Sequence, residues 1–391
     1  MKHFVMLKQT NSSLSLFILM LAAIIFVTAE LVPVGILPEI SSSLHYQVGT
    51  IGLIITGYAW TVTLSAVLIT AYFSIWERRK LLLSIMIVFA VANLAVANAT
   101  SLPILFLGRI LGALSHGIFW ASVGGLCVKL ANNLSVSRAT AIVFGGIAVA
   151  TVFAVPTGTL IAQYLGWRAV FDIISLGSVL VTILIYFNFP KIPGQTNNQW
   201  RHIPETFRHP LLRYLFPATV LAITGHFCAF TYISLLLQKI IKIPNYYLAI
   251  YLFLFGIAGV IGNIIAGMLK DQQLLHASIL AMLSLSIAII MCIYLPSNAF
   301  ITTAVLIAIW GIGICILTVS LQSLILTLPK SIVDTASAIH VSMFNAGIGA
   351  GAFLGGIIID KLHITIVAET GSLLLFVAAI ILIMPLNKYS Y

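Results

Sequence analysis

Charge is what this sequence has least of. Only 7% of its 391 residues are charged, nine of them acidic, and its mean hydropathy is +1.14. Soluble domains carry about 25% charged residues, so a water-soluble fold is excluded and lipid is the expected solvent. Long polar stretches are almost missing. One run, Lys191 to Arg213, holds Pro193, Gly194, Gln195, Asn197 and Asn198 and reads as a connection between two units. Cysteine is limited to Cys127, Cys228, Cys292 and Cys315, far apart and inside apolar runs. That spacing excludes a disulfide framework and a thiolate metal site, and leaves small apolar packing residues. Neither H-E-x-x-H nor G-x-S-x-G occurs, so an intramembrane protease or acyltransferase has no sequence support. Filter loops and charged rings, the marks of a channel, are also missing. The formal net charge of +10 does not imply nucleic acid. Its basic residues sit at the ends of apolar runs, where they orient spans. No cofactor or metal is expected.

What is present is hydrophobic length. A spanning helix needs ~20 apolar residues to cross ~30 Å of hydrocarbon. Twelve runs qualify: 15–40, 48–75, 80–99, 102–130, 136–163, 167–189, 212–238, 246–269, 274–295, 299–327, 331–360 and 364–385. The first follows Lys2 and Lys8 and so resembles a signal sequence. It lacks a small-residue cleavage site and Glu30 interrupts it, so a retained helix is expected. The expected fold is therefore an all-α membrane protein with twelve transmembrane helices in two six-helix bundles. Residues 1–189 form the first, 190–211 a cytoplasmic linker, and 212–391 the second. Basic residues test this map. With the N-terminus inside, Lys2, Lys8, Arg78, Arg79, Lys80, Lys129, Arg138, Lys191, Arg201, Arg208, Arg213, Lys270, Lys330 and Lys388 share the cytoplasmic side. Arg168, Lys239, Lys242 and Lys361 fall opposite. The bias puts both termini in the cytoplasm.

The two halves echo each other. Gly145, Gly146, Pro156 and Gly158 make the fifth span small, as Gly347, Gly349, Gly351, Gly355 and Gly356 do the eleventh. Internal repeats of this kind are a transporter feature, although the glycines themselves read first as points of close helix packing.

Polar side chains in hydrocarbon need a reason. By helical rise, Glu30 lies ~16 Å and Arg109 ~12 Å from the outer ends of the first and fourth spans. At matching depth they can pair across a cavity, with Glu30 exchanging a proton and Arg109 stabilising its ionised form. The competing reading is a static ion pair that fixes helix register. Arg109, Gly112, His116 and Trp120 follow at i, i+3, i+7 and i+11, one helix face. An indole there can stack on a sugar ring or an aromatic drug, and His116 suits either proton handling or a fixed interhelical bond. His226 lies about as deep in the seventh span as Glu30 in the first, which makes it a counterpart for proton or solute handling. Tyr58, Thr61, Ser65 and Tyr72 form a hydroxyl stripe on the second span. Tyr232, Gln238, Trp310 and Asn345 are further expected solute contacts, with Asn263, Gln322 and Ser342 weaker ones.

These residues carry a family resemblance. The strongest stretches are Thr28-Ala29-Glu30-Leu31-Val32-Pro33-Val34-Gly35, Tyr58-Ala59-Trp60, Glu77-Arg78-Arg79-Lys80-Leu81-Leu82, Ser115-His116-Gly117-Ile118-Phe119-Trp120, Gly166-Trp167-Arg168 and Phe344-Asn345-Ala346-Gly347-Ile348-Gly349-Ala350-Gly351. Over nearly its whole length the chain resembles a major facilitator superfamily transporter of the proton-antiporting drug and sugar efflux group. Within that group it is most similar to bacterial sugar efflux (arabinose-efflux-like) transporters. The resemblance implies two six-helix bundles around a cavity lined by the first, fourth, seventh and tenth helices, and a gate in the loop after the second span. Arg78 and Arg79 match the basic pair of that gate. Ser74 stands where an aspartate is expected and Glu77 where a glycine is, which leaves Glu77 to take the acidic role. Gly267-Met268-Leu269-Lys270-Asp271 is the matching loop of the second half, with Asp271 its acidic residue. Arg109 matches a fourth-span arginine associated with proton coupling, and Pro156-Thr157-Gly158 resembles a fifth-span antiporter motif.

The expectation is thus proton-coupled efflux of a small polar solute, a sugar or sugar-like compound, by a monomer in a bacterial inner membrane. Proton coupling would rest on Glu30, Arg109, His116 and His226. Multidrug or metabolite export on the same fold is the alternative, and a larger, greasier cavity would favour it.

Overall fold

The computed structural model describes residues 12–65, 75–131, 134, 136–194, 203–294, 299–329 and 332–384. Lys2, Lys8, Tyr72, Ser74, Gln195, Asn197, Asn198, Arg201, Lys330 and Lys388 lie outside them. Among the described residues the regular structure is all helical, in twelve long elements. These are α1 (Ser12–Leu44), α2 (Val48–Leu64), α3 (Arg78–Ala97), α4 (Leu102–Leu130), α5 (Val136–Leu165) and α6 (Trp167–Asn188). Then follow α7 (Leu212–Phe230), α8 (Asn245–Gly267), α9 (Leu274–Tyr294), α10 (Phe300–Leu326), α11 (Val333–Lys361) and α12 (Ile364–Ile383). Ten are long and apolar enough to cross a membrane by themselves. The seventh span departs from the continuous helix expected over 212–238. It breaks at Thr231–Tyr232, and Ile233–Lys239 continues at a 45° bend. The described part of the second span is 17 residues long.

Leucines, isoleucines and valines recur around the whole circumference of these helices, so each can bury one side in protein and show the other to lipid. Ile87, Val91 and Leu94 of α3 and Leu176, Leu180 and Ile183 of α6 are exposed apolar side chains. Rows like these suit acyl chains and not water.

Packing follows a two-fold pattern. In the first half α1 packs on α5 and α6, α3 on α4 and α6, and α2 on α4. Adding six to each number gives the second half: α7 on α11 and α12, α9 on α10 and α12, and α8 on α10. The two halves meet along α2–α11 and α5–α8, a pair of seams that the same operation exchanges. Glycine makes the close approaches possible. A side chain at Gly351 would overlap the Thr224 carbonyl of α7, and one at Gly256 would stand 2.7 Å from the Val152 backbone across the α5–α8 seam. The cysteines behave as packing residues: Cys127, Cys228 and Cys292 are buried and all four are unpaired.

Between the halves lies a cavity of about 2010 Å³, which reaches the end of the bundle that carries Arg78, Lys129 and Gly194. The other end is closed. There Gln163 at the end of α5 donates to the Asn245 carbonyl at 2.9 Å, and Asp360 of α11 meets the start of α2. Arg168, stacked over Trp167 at 4.3 Å, ties α1 and the α3–α4 turn through Ser43 Oγ at 3.0 Å and the Ala99 carbonyl at 2.9 Å.

Candidate functional site

Pro33 sets up the centre of the first half. A proline inside a helix has no N–H to give the carbonyl four residues earlier. That carbonyl belongs to Ala29, the residue beside Glu30, and Arg109 Nη1 of α4 donates to it at 2.7 Å. The guanidinium also sits 4.1 Å above the Tyr58 ring, a cation–π contact that gains strength when desolvated. Gly112, one turn along α4, lies beside the Tyr58 and Phe89 rings, where a Cβ would make only ordinary contact. Arg109 is thus fixed from two sides, and its depth next to Glu30 is as expected from the sequence. The direct Arg109–Glu30 pair is not formed, because the freed carbonyl and the Tyr58 ring hold the guanidinium. Its Nε and Nη2 have no hydrogen-bond partner among the described residues.

The titratable side chain that approaches Glu30 is instead His116, whose Nε2 lies 3.9 Å from Oε2. That is too long for a hydrogen bond and short enough to become one after a small movement. His116 Nδ1 is 2.7 Å from the Tyr58 hydroxyl, so Tyr58, His116 and Glu30 form a chain of proton-bearing groups. Its inner members are sealed while its end is not: the His116 side chain is 3% exposed and that of Glu30 19%. Trp120 continues this face of α4, 6.3 Å from His116 and edge-on to Phe144 at 5.4 Å. Glu30, Tyr58, Arg109, His116 and Trp120 all line the cavity.

In the second half His226 of α7 lines the same cavity. Trp310 of α10 donates its indole N–H to His226 Nδ1 at 3.0 Å. An indole nitrogen can only donate, so the neutral imidazole carries its hydrogen on Nε2. The ring stacks on Phe230 at 5.0 Å, and Phe230 on Phe255 at 4.8 Å.

The remaining expected residues divide. Asn345 lines the cavity, where Nδ2 donates to the Val341 carbonyl one turn back at 3.0 Å, and Ser342 and Asn263 join it. Trp310, fully buried, stands behind His226 and outside the wall. The bend at Thr231–Tyr232 carries Tyr232 and Gln238 to the closed end, away from the cavity lining. Tyr232 donates to the Ala352 carbonyl at 2.9 Å, and Gln238 to Asn245 Oδ1 at 3.2 Å. Gln322 donates to Ser337 Oγ at 3.4 Å. Of the gate residues, Arg78 lines the cavity and its backbone N–H donates to the Ile192 carbonyl at 2.8 Å. Arg79 donates to the Tyr186 carbonyl and lies over that ring at 5.6 Å. Glu77 precedes α3 without a side-chain cap bond. Asp271, exposed, opens the short 3-10 turn Asp271–Gln273 before α9.

Residues 19–339 match the family model of the Major Facilitator Superfamily. The chain belongs to that superfamily. Solved structures of the same shape include a mutant form of the nucleoside transporter NupG, with TM-score 0.75 and 14% identity over 95% of this chain and 99% of that one. A POT family transporter in complex with a thioalcohol-conjugated peptide aligns with TM-score 0.79 and 10% identity over 97% of each chain. The human organic anion transporter MFSD10 (TETRAN) does so with TM-score 0.68 and 14% identity over 96% and 100%. At these identities the likeness is one of fold. Membership makes the chain a multi-pass membrane transporter whose halves enclose a route for a small molecule.

Among the wall residues of this superfamily member that were not expected are five phenylalanines, Phe144, Phe227, Phe230, Phe255 and Phe344. Phe227 and Phe230 flank His226 at i+1 and i+4, a signal present in the sequence. Nothing local marks Phe255 or Phe344 as cavity-facing among twenty-two phenylalanines.

Proposed function

We propose that this transporter exports a small organic solute in exchange for protons, with Glu30 as the proton-carrying group. The observation that carries the reading is a carboxyl in the cavity wall, 3.9 Å from His116 and beside a pinned Arg109. A group so placed is reached from the cavity, and its charge is stabilised by the arginine and relayed by the Tyr58–His116 pair. Solute and proton then compete for one wall, which is what exchange requires. Residues 1–189 and 212–391 rock as two units joined by the linker 190–211. Arg78, Arg79, Lys80, Lys129 and Lys191 gather at the open end, and this supports a cytoplasm-facing cavity and cytoplasmic termini; the home we propose is a bacterial inner membrane and the working unit a monomer. Each proton that enters adds about 2.3 kcal/mol per 100 mV of membrane potential.

The solute we assign is amphipathic. A sugar or sugar-like compound fits on Trp120, with its hydroxyls toward Glu30, His116 and Asn345. A second reading, a greasier drug or metabolite, is favoured by the wall of Phe227, Phe230, Phe255 and Phe344 and by a volume above the 300–1,000 Å³ of most ligand pockets. Purified protein in proteoliposomes that contain a pH dye separates them. Sugars that trigger proton movement while lipophilic cations do not support the first reading, and the reverse supports the second. Silence with both classes refutes proton-coupled export of either.

A further inference from the structure

At the closed end two backbone groups lack a partner in their own helix. The first N–H groups of α2 have none, because the first turn of any helix leaves its donors unpaired and Gln47, the residue before it, makes no side-chain cap bond. On α1 the Val34 carbonyl has none because Pro38, four residues on, brings no N–H. Both are satisfied from the opposite half. Ser234, in the bent continuation of α7, donates to the Val34 carbonyl at 3.3 Å. Asp360, near the end of α11, accepts the Gly49 N–H at 2.8 Å on Oδ1 and the Thr50 hydroxyl at 3.0 Å on Oδ2. A residue just before a helix ordinarily makes such a cap; here the cap comes from 311 residues away. Both carboxyl oxygens are engaged, and an acidic side chain on the positive end of α2 is doubly favourable. The approach is tight, since any side chain at Gly49 would run into the Gly356 carbonyl and the Asp360 carboxyl.

We infer that Asp360 is the clasp of the closed end: a carboxylate that caps α2 across the seam and must let go each time that end opens. The inference rests on the alternating-access reading above and adds a gating residue on the side opposite Arg78 and Arg79. Both freed groups can pass to water when the end opens, so the clasp sets the balance between the two states without blocking the change.

Spin labels at Tyr164→Cys and Leu362→Cys test it. These two exposed positions lie at the closed end, one on each half. The four native cysteines are replaced by alanine, and distances are measured in proteoliposomes. In the otherwise unaltered protein the short distance should dominate. Asp360→Ala should raise the long-distance fraction at least fivefold, and Asp360→Asn by less. Thr50→Val, which removes one bond and no charge, should raise it about twofold and decides the matter if Asp360→Ala does not fold. Distributions in both Asp360→Ala and Thr50→Val that superimpose on the parent overturn the clasp. Solute and proton flux measured on the same liposomes keeps the two ideas apart. A widened end with no transport in the parent sinks the transport reading alone; transport with an unmoved end sinks the clasp alone.

Discussion

The two halves have the same helix arrangement and opposite chemistry at their centres. In each, the fourth helix of the half reaches the first: Arg109 of α4 meets the Ala29 carbonyl of α1, and Trp310 of α10 meets His226 of α7. The first pairing is charged, surrounded by Glu30, His116 and the Tyr58 hydroxyl. The second is neutral and wrapped in phenylalanines. Two-fold folding therefore supplies two equivalent positions next to one cavity, one set among ionisable side chains and the other among aromatic rings. A charge in hydrocarbon costs several kcal/mol, which favours keeping such groups in one half where they can support one another. On the function proposed above, this difference gives proton handling to the first half and solute contact to both.

That division can be broken most severely at Pro33. Replacing it with Ala returns an N–H to the Ala29 carbonyl and releases Arg109 Nη1, whose bond is of the charge-assisted kind worth ~1.5–3 kcal/mol. The helix gains in return, since an interior proline costs ~3 kcal/mol. Pro33→Ala should therefore lower proton-coupled transport about tenfold while the melting temperature holds or rises. Flux and thermal unfolding on one preparation check both signs, and a loss of folding would show that Pro33 only shapes α1.

A smaller effect on the other side sharpens the contrast. Trp310→Phe keeps an aromatic ring of smaller size and removes the donor to His226 Nδ1. A lost neutral hydrogen bond is worth ~1 kcal/mol, so the KM for solute should rise about fivefold. The number of protons moved per solute should stay as in the parent, as measured by dye and tracer together. A changed proton count would place His226 in the coupling chemistry and end the division of labour.

The order and number of helices were legible because hydrocarbon thickness sets a length that hydropathy reads directly. The seventh-span bend was not. Neither glycine nor proline marks Thr231–Tyr232, and the Tyr232 bond to Ala352 that accompanies it comes from α11, far along the chain. Tyr232 and Gln238 left the wall for that reason. The depths of Glu30 and Arg109 were readable from helical rise. Their relation was not, because it depends on which way each helix is turned. Yet the partner Arg109 did find, a carbonyl four residues before a proline, is plain arithmetic on Ala29 and Pro33. The same arithmetic gives Val34 from Pro38. Asp360 carried no such signal, since its value lies wholly in the α2 terminus placed opposite it.

The central claim is that Glu30 carries the proton, and Glu30→Gln tests it most directly. Gln keeps the shape, replaces one carboxyl oxygen with an NH2 donor, and cannot exchange a proton at any pH. In proteoliposomes loaded with labelled solute, the variant should still swap labelled for unlabelled solute across the membrane, while a pH gradient should no longer drive net accumulation. Gradient-driven accumulation within twofold of the parent would contradict the account.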